Sequence, residues 1–116
     1  PDKDLMQCCG RYIFGAENAP TAEALMRSRY SAFALKEISY LMKTVTPVHN
    51  EKEIAEWAFQ AEFTGLKVLK TNRGLANQFD GTVEYLASFI EAGQAEELHE
   101  KAQFKKIQGQ WFYLAQ

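Results

Sequence analysis

The sequence predicts an α+β domain, with about three helices in its N-terminal half packed on an antiparallel sheet of about four strands from its C-terminal half. Two observations carry this. Up to Gly65 apolar residues recur at the roughly 3.6-residue period of a helix, and after it they alternate with period two. The later runs are also separated by short glycine-containing turns, the pattern of strands joined by hairpins.

Residues 1–20 are polar, punctuated by Gly10, Gly15, Asn18 and Pro20, and read as an extended lead-in placed at the periphery. Thr21 then offers a hydroxyl N-cap, with Glu23 in the first turn beside the positive helix end. From Ala22 to about Lys36 there is neither Gly nor Pro, and Ala22, Leu25, Met26, Tyr30, Phe33 and Ala34 make most of the circumference apolar. This is the expected central helix. A second, short helix is expected over Glu37–Thr44, with Ile38, Leu41 and Met42 inward, closed by Pro47. Asn50 and Glu53 read as a capping box for a third helix from Glu51 to about Phe63, with Gly65 as its stop.

Leu66–Thr71 alternates as a first strand, followed by a turn at Asn72-Arg73-Gly74. From Phe79 the odd residues Phe79, Gly81, Val83, Tyr85, Ala87 and Phe89 share one face, until Gly93 breaks the strand. From Glu96 to Ile107 the even residues Leu98, Glu100, Ala102 and Phe104 share a face. Gln108-Gly109 turns the chain into a last aromatic strand, Gln110–Leu114.

Composition narrows the function classes. A chain of 116 residues with 47% apolar and 24% charged residues is the size and make-up of one globular domain. The net charge of −2 lacks the basic surplus of a duplex nucleic-acid binder, so nucleic acid is not an expected partner. No apolar run reaches the ~20 residues that span a bilayer, and no membrane association is expected. The residues after Pro1 have neither a basic nor an apolar leader segment, so no secretory signal is expected. The two cysteines, Cys8 and Cys9, are adjacent and have no distant partner. A disulfide scaffold is therefore excluded, and a cytoplasmic, reducing location is expected.

The candidate site residues are charges and aromatics that the pattern places inside. Arg27 and Arg29 lie in the most apolar helix, and an arginine held away from water must be paired. Glu100 is the natural partner, as the charge that stands among Leu98, Ala102 and Phe104 on one face. A structural Arg–Glu pair and a pocket whose arginine holds an anion are both open readings, with Arg29, Tyr30, Glu100 and Trp111 in or over its wall. A closed Arg29–Glu100 contact favours the first, an open cavity the second. Glu84 reads as a solvent-facing strand residue, and His99 points away from Glu100, so these neighbours form no acid–base pair. Trp111 and Tyr113 share one face of the last strand and Phe112 takes the other. Lys101, Lys105 and Lys106 make only a small basic patch. No phosphate loop or serine elbow is present, and no catalytic set can be assembled from spacing.

The segments Cys8-Cys9-Gly10-Arg11-Tyr12, Pro20 to Phe33 (PTAEALMRSRYSAF), Gly81-Thr82-Val83-Glu84-Tyr85, Leu98-His99-Glu100 and Gly109-Gln110-Trp111-Phe112-Tyr113 closely resemble the YchJ family of bacterial SEC-C motif proteins. The likeness runs through nearly the whole chain. It implies a nuclear transport factor 2-like (cystatin-like) domain over 21–116, a curved antiparallel sheet wrapped around helices, often with a pocket between them. It further implies that residues 1–20 hold the remnant of a SEC-C zinc motif. Cys8 and Cys9 would be its second half, and the first Cys-x-Cys pair would fall just before Pro1. Zinc is thus expected only in a full-length protein carrying that pair, and no cofactor in this chain. The resemblance names no reaction. A binding or adaptor domain beside zinc-binding SEC-C segments is the leading expectation, and a small-molecule or enzymatic pocket the alternative. A protein partner, a small ligand or a homodimer through the sheet each fits one of these.

Overall fold

The computed structural model describes residues 10–15, 17–46 and 51–114. Cys8, Cys9, Pro47, His49 and the Asn50 cap lie outside them. The helices α1 (Arg11–Ile13), α2 (Ala22–Leu35), α3 (Ile38–Lys43) and α4 (Glu51–Gln60) pack on a five-stranded sheet: β1 (Val45–Thr46), β2 (Ala61–Arg73), β3 (Asp80–Glu91), β4 (Gln94–Ile107) and β5 (Gln110–Leu114). The spatial order is β1-β5-β4-β3-β2, antiparallel throughout except for the parallel pair β1–β5.

α2 begins as its sequence demands. The Thr21 hydroxyl accepts from the Ala24 N–H at 3.0 Å, satisfying one of the donors left over at a helix start. Lys36 takes a left-handed conformation at φ 63°, and its N–H turns back to the last carbonyls of the helix. The two hairpins turn on Ala92-Gly93 and Gln108-Gly109, with positive φ at both positions of each. That is the turn whose twist matches flanking strands.

The inner face of the sheet carries Val83, Ala87 and Phe89 from β3, Ala102 and Phe104 from β4, and Trp111 from β5, all buried. Against them lie Ala22, Leu25, Met26 and Ala32 of α2 and Tyr40 and Leu41 of α3. Two polar contacts lock the start of α2 to this sheet. Trp111 Nε1 donates to the Pro20 carbonyl at 3.2 Å, and the Ala22 N–H donates to the Gly74 carbonyl at 2.9 Å.

Several expectations change. The third helix stops at Gln60 rather than Phe63, because Ala61–Phe63 pair with Phe89–Glu91 and extend β2. Gly65 is then a strand residue beside an irregularity in register between Phe63 and Gly65, a place where glycine is tolerated in a strand. Asn72 and Arg73 also belong to β2, and the connection to β3 begins at Gly74 and runs through Phe79, which lies outside the strand and is 67% exposed rather than inward. Finally, the lead-in is not peripheral: Tyr12, Ile13 and Ala19 are buried in the core cluster, although Arg11 itself is exposed. The fifth strand, β1, has only two residues, too few to leave an alternating pattern.

Candidate functional site: a pocket between sheet and helices

Met26, Arg29, Tyr30 and Phe33 are spaced i, i+3, i+4 and i+7, so they emerge from one side of α2. All four line a cavity of about 410 Å³ between that helix, α4 and the inner sheet face. Its other walls include Ile54 and Trp57 of α4, Phe63 of β2, Tyr85 of β3, Glu100 and Phe104 of β4 and Tyr113 of β5. One side is aromatic. Trp57 meets Phe33 and Phe63 edge-on at centroid distances of 5.1 and 5.2 Å, and Tyr30 meets Phe63 at 5.6 Å. Edge-to-face pairs of this kind hold rings in fixed relative orientation.

The other side is polar. Tyr85 and Glu100 are directly opposed across β3 and β4, and the Tyr85 hydroxyl donates to Glu100 Oε1 at 2.6 Å. The Tyr113 hydroxyl donates to Oε2 at 2.7 Å. Burial, and then the bond to Glu100, push both phenols above their ordinary range, so both remain donors. Arg29 lies against the Tyr113 ring, its Cζ 4.9 Å from the centroid. Its Nη1 donates to the Leu41 carbonyl at 2.9 Å and to Thr44 Oγ1 at 2.7 Å. Burial lowers the guanidinium to about 10, opposed by Tyr113, Tyr85, Tyr40 and Glu100, and it stays cationic at neutral pH.

The expected direct ion pair is therefore replaced. Among the described residues Arg29 and Glu100 form no salt bridge. Leu41, near the end of α3, offers Arg29 one of the carbonyls that a helix leaves unpaired, and two tyrosines each take a Glu100 oxygen. The two charges nevertheless share one ring, Arg29 on its face and Glu100 at its hydroxyl. Nε and Nη2 of Arg29 have no hydrogen-bond partner among the described residues, yet no sealed side-chain nitrogen or oxygen lacks one. Arg29 lines the cavity with these two donors left over.

Of the other residues singled out in the sequence, Tyr30 joins Arg29 and Glu100 in the lining, and burial raises its phenol too. Arg27 does not line the cavity. It sits half in solvent and pairs with Glu23 one turn back at 2.9 Å. Trp111 is sealed in the core at 1% exposure, outside the cavity. On the outer sheet face His99 Nε2 lies 2.6 Å from Glu84 Oε2, a cross-strand contact that the alternation placed on the right face but could not pair. Tyr85 and Tyr113 were also missed as partners of Glu100. Their inward faces were legible, but their register was not. Among the described residues no three His, Cys, Asp or Glu side chains gather as a metal site. No helix among them is long and apolar enough to cross a membrane.

Helices laid against a sheet, with a polar-floored pocket between, define a nuclear transport factor 2-like domain. Residues 21–116 match the family model described as "YchJ, middle NTF2-like domain", and the chain belongs to that family. It is 39% identical over 115 residues to a UPF0225 protein of Chromobacterium violaceum, covering 97% of this chain and 85% of the relative. A UPF0225 protein of Geobacter sulfurreducens is 37% identical over 115 residues, covering 96% of this chain and 71% of the relative. The solution structure of a SEC-C motif containing protein from Rhodopseudomonas palustris superposes with a TM-score of 0.89 at 32% identity, over 99% of this chain and 91% of that one. The crystal structure of another, from Psychrobacter arcticus, gives 0.82 at 31% identity, over 95% of this chain and 70% of that one.

Proposed function

We propose that the domain binds a small, largely apolar molecule between α2, α4 and the sheet. The observation that carries this is the Arg29 edge, two unpartnered donors on a residue that lines a cavity of about 410 Å³ with aromatic walls. Ligand pockets are commonly ~300–1,000 Å³, mostly apolar, with a few placed polar groups that orient the guest. This cavity is at the small end of that range. Amide NMR spectra of the chain, titrated with small aromatic probes such as indole, test the reading. Shifts confined to Arg29, Trp57, Phe63 and their neighbours are expected, and spectra that no probe perturbs there overturn it.

A second reading has its own support. Cys8-Cys9-Gly10, and the SEC-C motif in the names of two solved relatives, favour a domain that serves zinc-binding segments as an adaptor toward a protein partner. Two adjacent cysteines supply half of a tetrahedral site, so the remaining ligands must come from elsewhere. A full-length protein with the upstream Cys-x-Cys pair that purifies without zinc would sink this reading.

A further inference from the structure

The cavity of the proposed binding function holds a cation and an anion on one ring. Arg29 lies on the face of Tyr113, and Glu100 accepts a hydrogen bond from that ring's hydroxyl. Each still has capacity. Arg29 keeps Nε and Nη2, two adjacent donors in the fork that matches a carboxylate. Each Glu100 oxygen accepts one tyrosine hydrogen bond, and a carboxylate oxygen has a further lone pair to offer. Beyond them stand Tyr30, Phe33, Trp57 and Phe63. We infer that the pocket's ligand class is a zwitterion with an apolar side chain, such as a free apolar or aromatic α-amino acid. Its carboxylate would meet the Arg29 fork, its ammonium the Glu100 carboxylate, and its side chain the aromatic wall.

Charge balance selects this class within the broader small-molecule reading on which it rests. A simple carboxylate would bring an uncompensated negative charge to a site already holding Glu100. A simple amine would meet Arg29 with a like charge. Either must leave water without a full set of opposite partners, which is costly in a partly enclosed apolar site. A zwitterion satisfies both ends and leaves the net charge unchanged. A nucleotide or phosphate ester suits the site poorly, since its excess negative charge would face Glu100.

The test is a calorimetric and NMR comparison of L-phenylalanine, hydrocinnamate (which lacks the ammonium) and phenethylamine (which lacks the carboxylate) on the intact chain. L-phenylalanine is expected to bind at least about tenfold more tightly than either analogue, a difference of ~1.4 kcal/mol. Glu100→Gln is expected to bring L-phenylalanine and hydrocinnamate toward parity, because it neutralises the ammonium's partner while keeping an amide in place. Should either analogue match L-phenylalanine on the unmodified chain, the zwitterion assignment falls. If indole shifts the cavity resonances and L-phenylalanine does not, the assignment falls and the pocket stands. If no probe shifts them, both fall.

Discussion

Glu100 is the residue whose meaning changes most between sequence and structure. A direct pair with a buried arginine would make Glu100→Ala cost roughly 3–5 kcal/mol by stranding the guanidinium. Here Arg29 keeps its bonds to Leu41 and Thr44 whatever happens to Glu100, and the loss falls on two tyrosine hydroxyls that open toward the cavity. Glu100 accepts two hydrogen bonds, and bonds to charged groups are worth about 1.5–3 kcal/mol each, so Glu100→Ala is expected to cost about 3 kcal/mol or more in urea unfolding. The Tyr85→Phe/Tyr113→Phe double variant should reproduce most of that loss; if it costs far less, the ion pair is restored as the dominant interaction. The tyrosines add a pH dependence. Their folded pKa values are raised above the unfolded value of about 10, so the stabilisation is complete below pH 10 and is lost as pH rises beyond it. Arg29, lowered to about 10, works the other way, since its burial penalty is relieved above that pH. Comparing the chain with Tyr113→Phe largely cancels Arg29 and isolates one phenol. The stability gap between them should hold constant from neutral pH to about 10 and narrow above it. A gap unchanged through that range would mean that Tyr113 ionises as freely folded as unfolded.

Elements were legible where local chemistry decided them and illegible where a distant strand did. Thr21 opens α2 by capping, and the turns at Gly93 and Gln108-Gly109 are marked by their glycines, so these were readable in place, whereas the left-handed Lys36 that ends α2 carries no such mark. The α4–β2 boundary was not, because residues 61–63 have a helical pattern locally and are claimed by β3. A tighter device lies where α2 meets the β2–β3 connection. A Cβ on Gly81 would stand 2.5 Å from the Gly74 Cα and 2.6 Å from its nitrogen, against backbone that cannot swing aside. Gly74 in turn presents its carbonyl to the Ala22 N–H at the first turn of α2. Gly81→Ala should therefore cost about 1–3 kcal/mol, the range for overpacking, and lower the urea midpoint without changing the slope. Gly65→Ala is the control, since the nearest atom to its added Cβ, Ser88 Cβ, is 4.0 Å away and its φ is not positive. Equal losses at both glycines would mean that the contact at Gly74 adds nothing.

At the scale of the molecule, the layer order and the inward faces of β3 and β4 were predictable from period alone, which is why Arg29, Tyr30 and Glu100 could be placed near one another. The cavity was expected through the family resemblance and not from period, since it depends on how far α4 stands from the sheet. That spacing also sets the dynamics. β3 is flanked along its length by β2 and β4, and its inward side chains Val83 and Ala87 are almost fully buried. α4 contributes only Ile54 and Ala58 as buried residues, and its remaining hold on the domain runs largely through Trp57 in the aromatic wall. Local opening needs the least free energy where few apolar contacts must break. Native-state hydrogen exchange should accordingly find the β3 and central β4 amides opening only with global unfolding, and α4 opening at a distinctly lower free energy. Because Ile54 and Trp57 line the cavity, that opening would also admit a guest, and a bound guest should slow α4 exchange more than that of β3. If α4 instead exchanges as slowly as β3, the helix is not the gate. A ligand must then enter through the cavity's existing mouth.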